Sequence, residues 1–294
     1  MTEKQVEGLV LKKFSGFYYV QDGEQNIFEC KLRGKIKIPV LSGDRVAFTP
    51  LEQGRGILEE IRPRDSEMYR PRIANVNTVL IVMACSRPEP SLQLLDRLLF
   101  FAFYNHLTPY ILLNKCDLNA EHNTILIQDY YPSAGFNVIK TSATAETGLA
   151  ELKQVIKGKI AVFAGPSGTG KSSLLNALSR SLQLKTQEVS NKIGRGRHTT
   201  RHVELYPLNT GGWVADTPGF SVLDMPSLKS PELAGFFPDF TSHAGKCRFR
   251  NCLHYKETDC EIKRMVADGT IAEFRYRNYI SMLEELIANE RCYR

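Results

Sequence analysis

The chain has 294 residues, of which 43% are hydrophobic and 24% charged, with a formal net charge of +6. That length supports two or three domains with real cores, and the composition is that of a soluble globular protein. No run of eighteen apolar residues offers a membrane span, and the opening Met-Thr-Glu-Lys-Gln is not an apolar signal segment, so a cytoplasmic protein is expected.

Residues 1–68 read as short strands separated by turns: Val6 to Lys12, Phe17 to Val20, Asn26 to Leu32, a turn at Ser42-Gly43-Asp44 before a strand ending at Phe48, and Gly56 to Arg62. Five strands in so short a stretch predict a small closed barrel, an OB-fold first and an SH3-like barrel second. Lys31, Arg33, Lys35 and Lys37 form an acid-free basic stretch suited to a phosphate-rich partner or to solvent. Arg62 to Arg72 reads as a basic linker.

From Thr78 the pattern changes. Thr78 to Ala84 is a continuous apolar run, as in a buried parallel strand. Ser91 to Asn105 is helical, with Leu92, Leu95, Leu98, Leu99 and Ala102 on one face. Strands at Pro109 to Leu113 and Phe136 to Lys140, helices at Glu121 to Tyr131 and Gly148 to Ile156, and a strand at 159–164 complete an alternating series. Such alternation predicts an α/β domain with a mainly parallel sheet, over 69–225, whose ligands bind at strand carboxyl ends.

Four strand ends carry recognisable chemistry. Gly165-Pro166-Ser167-Gly168-Thr169-Gly170-Lys171-Ser172 fits the phosphate-loop pattern and leads into a helix through Ser173 to Leu178. Its backbone N–H groups would cradle phosphate, Lys171 would reach the β- and γ-phosphates in a catalytic role, and Ser172 would ligate Mg²⁺. Asn114-Lys115-Cys116-Asp117 matches N-K-x-D. The Asp117 carboxylate can accept both guanine N1–H and the exocyclic amine, a pair adenine lacks, and Lys115 would lie along the base. Ser142 and Ala143, in Thr141-Ser142-Ala143, suit a second base-recognition loop. Asp216-Thr217-Pro218-Gly219 matches D-x-x-G, placing Asp216 near Mg²⁺ and the Gly219 N–H near the γ-phosphate.

The order is informative. Ordinary small GTPases run phosphate loop, D-x-x-G, N-K-x-D, S-A. Here N-K-x-D and S-A come first, which is a circular permutation, and D-x-x-G leads into the C-terminal segment instead of a core helix. Phe220 stands where a water-directing glutamine would follow D-x-x-G. His198, in the basic loop Gly194-Arg195-Gly196-Arg197-His198-Thr199-Thr200-Arg201, is the best candidate to direct water, with a role in hydrogen-bonding water or RNA as the alternative. Thr200 is favoured as a Mg²⁺ ligand, with Thr199 as the alternative.

A hairpin is predicted over 202–215, an irregular region over 220–243, and two helices at the end, Glu261 to Ala267 and Thr270 to Ala288, the latter opened by a Thr270/Glu273 capping box. Ahead of these helices, in the 226–294 segment, Cys247, Cys252, His254 and Cys260 make a Cys₃His set suited to one tetrahedral structural Zn²⁺. Cys30, Cys85, Cys116 and Cys292 lack such grouping and read as plain thiols.

The permuted order, the N-terminal barrel, the Gly-Arg-Gly-Arg-His-Thr-Thr-Arg loop, Phe220 after Asp-Thr-Pro-Gly and the cysteine cluster together resemble the RsgA family over essentially the whole chain. The resemblance implies an OB-fold, a permuted GTPase domain and a zinc domain, all bearing on ribosomal RNA. It implies a GTPase of late small-subunit assembly, weakly active alone and stimulated by the small ribosomal subunit, with His198 at the position of the family's proposed catalytic histidine. A monomer is expected.

Overall fold

The computed structural model describes residues 5–68, 72–179, 203–216, 224–243 and 245–292. The chain divides into two compact units. One comprises Met1–Leu80, Leu149–Ala164 and Lys171–Phe220; the other comprises Ile81–Gly148, Gly165–Gly170 and Ser221–Arg294.

In the first unit, β1 (Val6–Phe14), β2 (Phe17–Asp22), β3 (Ile27–Leu32), β4 (Arg45–Leu51) and β5 (Arg55–Ile61) close into a barrel of order β1-β2-β3-β5-β4. β3 and β5 run parallel, while β1 pairs antiparallel with both β2 and β4. That closure is the OB topology, which decides between the two barrels that the sequence left open. The two-residue period turns Val10, Val20, Cys30, Val46, Phe48 and Leu58 inward, all fully buried. A register shift between Val10 and Lys12 bends β1, as a bulge does.

The segment after the barrel is tied down rather than a free linker. Arg64 forks onto the buried Asp44 carboxylate, Nε to Oδ1 at 2.7 Å and Nη2 to Oδ2 at 2.9 Å. Beyond it β6 (Glu67–Met68) pairs with β7 (Ile73–Ala74). Glu67, an acid inside the basic stretch, bonds both Arg64 and Arg72.

The first unit also holds α3 (Leu149–Ile156), β11 (Ile160–Ala164), α4 (Lys171–Leu178), β12 (Glu204–Pro207) and β13 (Trp213–Asp216). β12 and β13 are the predicted hairpin, antiparallel, and β13 runs parallel to β11. Three side chains fasten this hairpin to the barrel: Lys12 Nζ to Glu204 Oε1 at 2.6 Å, Ser42 Oγ to the Val203 carbonyl at 2.7 Å, and Trp213 Nε1 to Gln21 Oε1 at 2.9 Å.

β8 (Thr78–Ala84), β9 (Thr108–Asn114) and β10 (Asn137–Lys140) complete a six-stranded sheet of order β10-β9-β8-β11-β13-β12. β8 and β11 are buried at every residue, the reason that each reads as an unbroken apolar run. α1 (Leu92–Tyr104) starts where the Ser91 hydroxyl accepts the Leu94 N–H, and it buries Leu95, Leu98, Leu99 and Ala102 as the periodicity predicts. α2 (His122–Ser133) precedes β10.

The second unit's C-terminal part is more ordered than the sequence suggests. A 3-10 segment at Ser230–Phe236 and α5 (Pro238–Thr241) occupy the stretch expected to be irregular, each opened by a proline that fits a first helical turn. α6 (Glu261–Ala267) and α7 (Glu273–Cys292) follow. They bury Ile262, Ile271, Tyr279, Leu283 and Leu286 with Phe100, Leu233, Phe237 and Phe240. The predicted Thr270 cap does not form. Asp268 Oδ1 accepts both the Thr270 N–H and hydroxyl, at 3.1 and 2.7 Å, and the helix begins three residues later. Asp268 instead ties Thr270 into a local turn ahead of the helix. Among the described residues no helix is long and apolar enough to cross a membrane.

Candidate functional site

The phosphate loop, residues 165–170, leaves β11 and ends where Lys171 and Ser172 open α4. Two glycines are required by its shape. Gly165 has φ +123°, and a Cβ there would lie 2.3 Å from the Val82 carbonyl oxygen; Gly170 has φ +92°, and a Cβ there would lie 2.4 Å from Asn114 Nδ2. Thr169 is buried and its hydroxyl donates back to the Pro166 carbonyl at 3.0 Å, closing the loop. Ser167, Gly168 and Ser173 are exposed; Pro166, Lys171 and Ser172 are half-buried.

The residues predicted to recognise the base meet this loop directly. Asn114, the last residue of β9, is 1% exposed. Its Nδ2 donates to the Thr169 carbonyl at 2.8 Å and its Oδ1 accepts the Thr141 hydroxyl at 3.2 Å. Lys115 has φ +62° and extends its ammonium to the carbonyls of Gly168, at 2.7 Å, and Arg87, at 2.5 Å. Asp117 is left exposed. The Ser142 hydroxyl, its own backbone N–H and Thr144 hold its carboxyl below the usual Asp range, so it presents a charged acceptor. Thr141 is fixed to both neighbours, donating its N–H to Leu113 and accepting that of Cys116. The Ser142 hydroxyl accepts the Ala145 N–H at 3.0 Å, which curls the loop through the half-buried Ala143. Two loops and the phosphate loop thus converge, with a carboxylate at one end and a backbone cradle at the other.

The remaining predicted nucleotide residues divide in two. Asp216 ends β13, with its backbone opposite Glu204. His198, Thr199, Thr200, Gly219, Phe220 and the loop arginines Arg195, Arg197 and Arg201 lie outside the described residues.

The four predicted zinc ligands do come together. One donor atom from each of Cys247, Cys252, His254 and Cys260 lies within 4.8 Å of the others. Cys247 Sγ is 3.5 Å from His254 Nδ1 and 3.9 Å from Cys260 Sγ, and that nitrogen is 3.3 Å from Cys260 Sγ. Bonds of about 2.0 Å to nitrogen and 2.3 Å to sulfur give a tetrahedron with edges of roughly 3.5–3.8 Å. The donor set therefore fits Zn²⁺, bound through Nδ1 of a histidine whose burial favours the neutral ring. Around it Tyr276 and Tyr279 donate their hydroxyls to the carbonyls of His254 and Leu253, at 2.7 and 2.8 Å. Glu257 accepts the N–H groups of Leu253 and Tyr255.

Sequence reasoning missed a buried charge network in the same unit. Arg275, 1% exposed, bonds Asp96 from Nη1 at 2.6 Å and Asp239 from Nε at 2.9 Å, and its guanidinium lies 4.4 Å from the Phe237 ring centroid. Asn278 and Tyr131 also donate to Asp96, and Tyr130 donates to Asp239. Burial lowers the Arg275 pKa, but the two carboxylates outweigh it and raise it. The available signal was Asp96 itself, a charge inside the apolar face of α1. The basic stretch on the barrel is also less free than it reads: Arg33 pairs with Glu59, and Lys31 sits 5.6 Å from the Phe17 ring centroid.

A phosphate loop preceded in the chain by its own base-recognition loops, behind an OB barrel, defines a circularly permuted P-loop GTPase. Comparison with known proteins agrees. The model described as RsgA GTPase matches residues 61–226, and that described as RsgA N-terminal domain matches residues 7–58. Small ribosomal subunit biogenesis GTPase RsgA of Moorella thermoacetica is 44% identical over 98% of this chain and 100% of its own length. The protein of the same name from Carboxydothermus hydrogenoformans is 46% identical over 97% and 99%. The crystal structure of YloQ, a circularly permuted GTPase, superposes with a TM-score of 0.81 at 37% identity, covering 97% of this chain and 96% of that one. YjeQ from Thermotoga maritima gives 0.81 at 35% identity, covering 97% and 99%. The chain belongs to the RsgA family, and its activity is GTP hydrolysis.

Proposed function

We propose that this GTPase works in the biogenesis of the small ribosomal subunit, as a monomer in the cytoplasm, binding the subunit and its rRNA and hydrolysing GTP to GDP and phosphate faster when bound. The observation that carries the reading is likeness over nearly the full length of relatives bearing that name, with every GTPase motif present in permuted order. The contacts of Asn114 and Lys115 with the phosphate loop support it, because they set a guanine-selective carboxylate at a fixed reach from the phosphates.

In this reading residues 1–68 are an RNA-binding barrel, 69–225 the GTPase domain and 226–294 the zinc domain. Asp117 accepts the guanine edge beside Ser142 and Ala143, and Lys115 lies along the base. Residues 165–170 and Ser173 surround the phosphates, and Lys171 neutralises charge on the β- and γ-oxygens. Ser172, Thr200 and Asp216 would hold Mg²⁺, which when bound supplies further charge neutralisation. Gly219 meets the γ-phosphate, and His198 orients the attacking water. Zn²⁺ on Cys247, Cys252, His254 and Cys260 is structural, since four protein ligands leave no open position.

Single-turnover hydrolysis with and without purified small subunits tests the reading. Acceleration by subunits, lost in His198→Ala while subunit binding persists, is expected. Subunits that bind without accelerating hydrolysis would leave a GTP-dependent scaffold instead.

A further inference from the structure

Two cysteines used by neither site stand at the base-recognition loop. Cys85, directly after β8, is buried; Cys116, the variable residue of Asn114-Lys115-Cys116-Asp117, is half-buried, and both are free. The loop ties them together. The Cys85 N–H donates to the Asn114 carbonyl at 2.8 Å, and the Cys85 carbonyl accepts the Glu121 N–H at 2.9 Å and the Thr124 hydroxyl at 2.8 Å. Residues 114–121 therefore form an arch with both feet on Cys85, and Cys116 stands within it. The Cys116 N–H is held from the other side by the Thr141 carbonyl at 3.1 Å. Burial first, and then Cys116, push the Cys85 thiol up to about 11.

We propose that Cys85 and Cys116 are a thiol pair that a low-molecular-weight disulfide converts into an intramolecular disulfide, and that this modification expels guanine nucleotide. The inference rests on the reading of Lys115 and Asp117 as the base contacts. Cys116, the more accessible thiol, attacks as thiolate on one sulfur of the reagent, RSSR. That S–S bond breaks, a Cys116 mixed disulfide forms, and RS⁻ leaves and takes up a proton. Cys85 then gives its proton to water and attacks the Cys116 sulfur, and the second RS⁻ leaves. The protein dithiol is oxidised by two electrons and RSSR is reduced to two RSH.

The consequence for nucleotide follows from position. A bond from Cys116 to Cys85 draws the arch inward between its two working residues. The Lys115 ammonium then loses its place between the Gly168 and Arg87 carbonyls, and the Asp117 carboxylate leaves the hydroxyl of Ser142. Paired hydrogen bonds to a base edge do not survive such a displacement, because they weaken steeply with angle. By linkage, bound GDP must oppose the oxidation to the same degree that oxidation opposes GDP.

Full-length, zinc-loaded protein is treated with oxidised glutathione with and without GDP. Disulfide-linked peptides are mapped by mass spectrometry, and GDP affinity is measured by calorimetry before and after. The expected result is a Cys85–Cys116 linked peptide, formed more slowly with GDP, and GDP binding weakened by about tenfold or more and restored by a thiol reductant. Cys116→Ser keeps the reduced protein's affinity and ignores glutathione, whereas Cys85→Ser stops at the Cys116 mixed disulfide. Failure of the linked peptide to form in the folded protein overturns the proposal, as does a linked protein that binds GDP unchanged. Reduced protein that binds ADP as well as GDP overturns the base-recognition reading itself, whether or not the link forms.

Discussion

Asn114 donates from Nδ2 to the carbonyl of Thr169 at 2.8 Å, joining the base-recognition loop to the phosphate loop across 55 residues of chain. The bond is buried, and the same amide accepts from the buried Thr141. Asn114→Ala removes both partners at once and leaves a carbonyl and a hydroxyl unsatisfied away from water. A stability loss of about 1–3 kcal/mol is expected even without nucleotide, together with weaker GDP binding. Urea denaturation of the nucleotide-free variant measures the first, and calorimetry the second. Unchanged apo stability would show that the contact matters only in the nucleotide complex.

Asp117 is exposed and charged, so in the proposed function its worth lies in selectivity rather than folding. Asp117→Asn replaces an acceptor by a donor opposite guanine N1–H. Hydrogen bonds to a charged group are worth roughly 1.5–3 kcal/mol, so GDP affinity should fall about ten- to hundredfold. Xanthosine diphosphate, whose base presents an oxygen in place of the exocyclic amine, should gain. The pH dependence has a definite sign. A carboxyl held below its ordinary value of 3.8 keeps its charge until the pH falls through that lowered value. Base selectivity should therefore be flat from neutral pH down to about pH 4 and lost only below it. Competition between GDP and ADP across that range checks the point.

What was legible in the sequence tracks the range over which each signal acts. β8 matched its predicted bounds because burial on both sides leaves an unbroken apolar run, and α1 matched because its buried face repeats at helical spacing. The phosphate-loop glycines were legible because backbone shape demands glycine at Gly165 and Gly170. The cysteine cluster closed as its spacing implied. Contacts between distant side chains left no such trace. Arg64 on Asp44 and Arg275 on Asp96 span 20 and 179 residues, and neither partner advertises the other. Thr270 misled because the capping pattern is local and Asp268, equally local, holds Thr270 in a turn before the helix starts.

The Arg275 network supplies a stability test. Arg275 reaches α1 through Asp96 and α5 through Asp239, with all three side chains almost wholly buried. Arg275→Met leaves two carboxylates without their cation and should cost about 3–5 kcal/mol. Adding Asp96→Asn and Asp239→Asn removes the uncompensated charge and should recover a large part of the loss, because uncharged replacements avoid the burial penalty. Denaturant midpoints of the single and triple variants measure both. Equal stability of the two would mean that the arginine acts by packing on Phe237 and not by charge.

The metal centre should be held by folding and hold it in return. Tyr276 and Tyr279, both on α7, donate to carbonyls of the ligand-bearing segment, so the position of the helix and the closure of the cluster are linked. One zinc per chain is expected by elemental analysis. Cys252→Ser should lower that content well below one and speed amide exchange across residues 247–292, with the barrel strands as reference. Binding requires the thiols to lose protons, so the native protein should keep its zinc during dialysis at pH 7.5 and release it progressively as the pH is lowered. Structural zinc contributes apparent binding free energies of about 10–16 kcal/mol in small domains, enough that chelation should loosen α6 and α7 rather than merely empty the site. Full zinc content in Cys252→Ser, or unchanged exchange after chelation, would remove the metal from the folding of this segment.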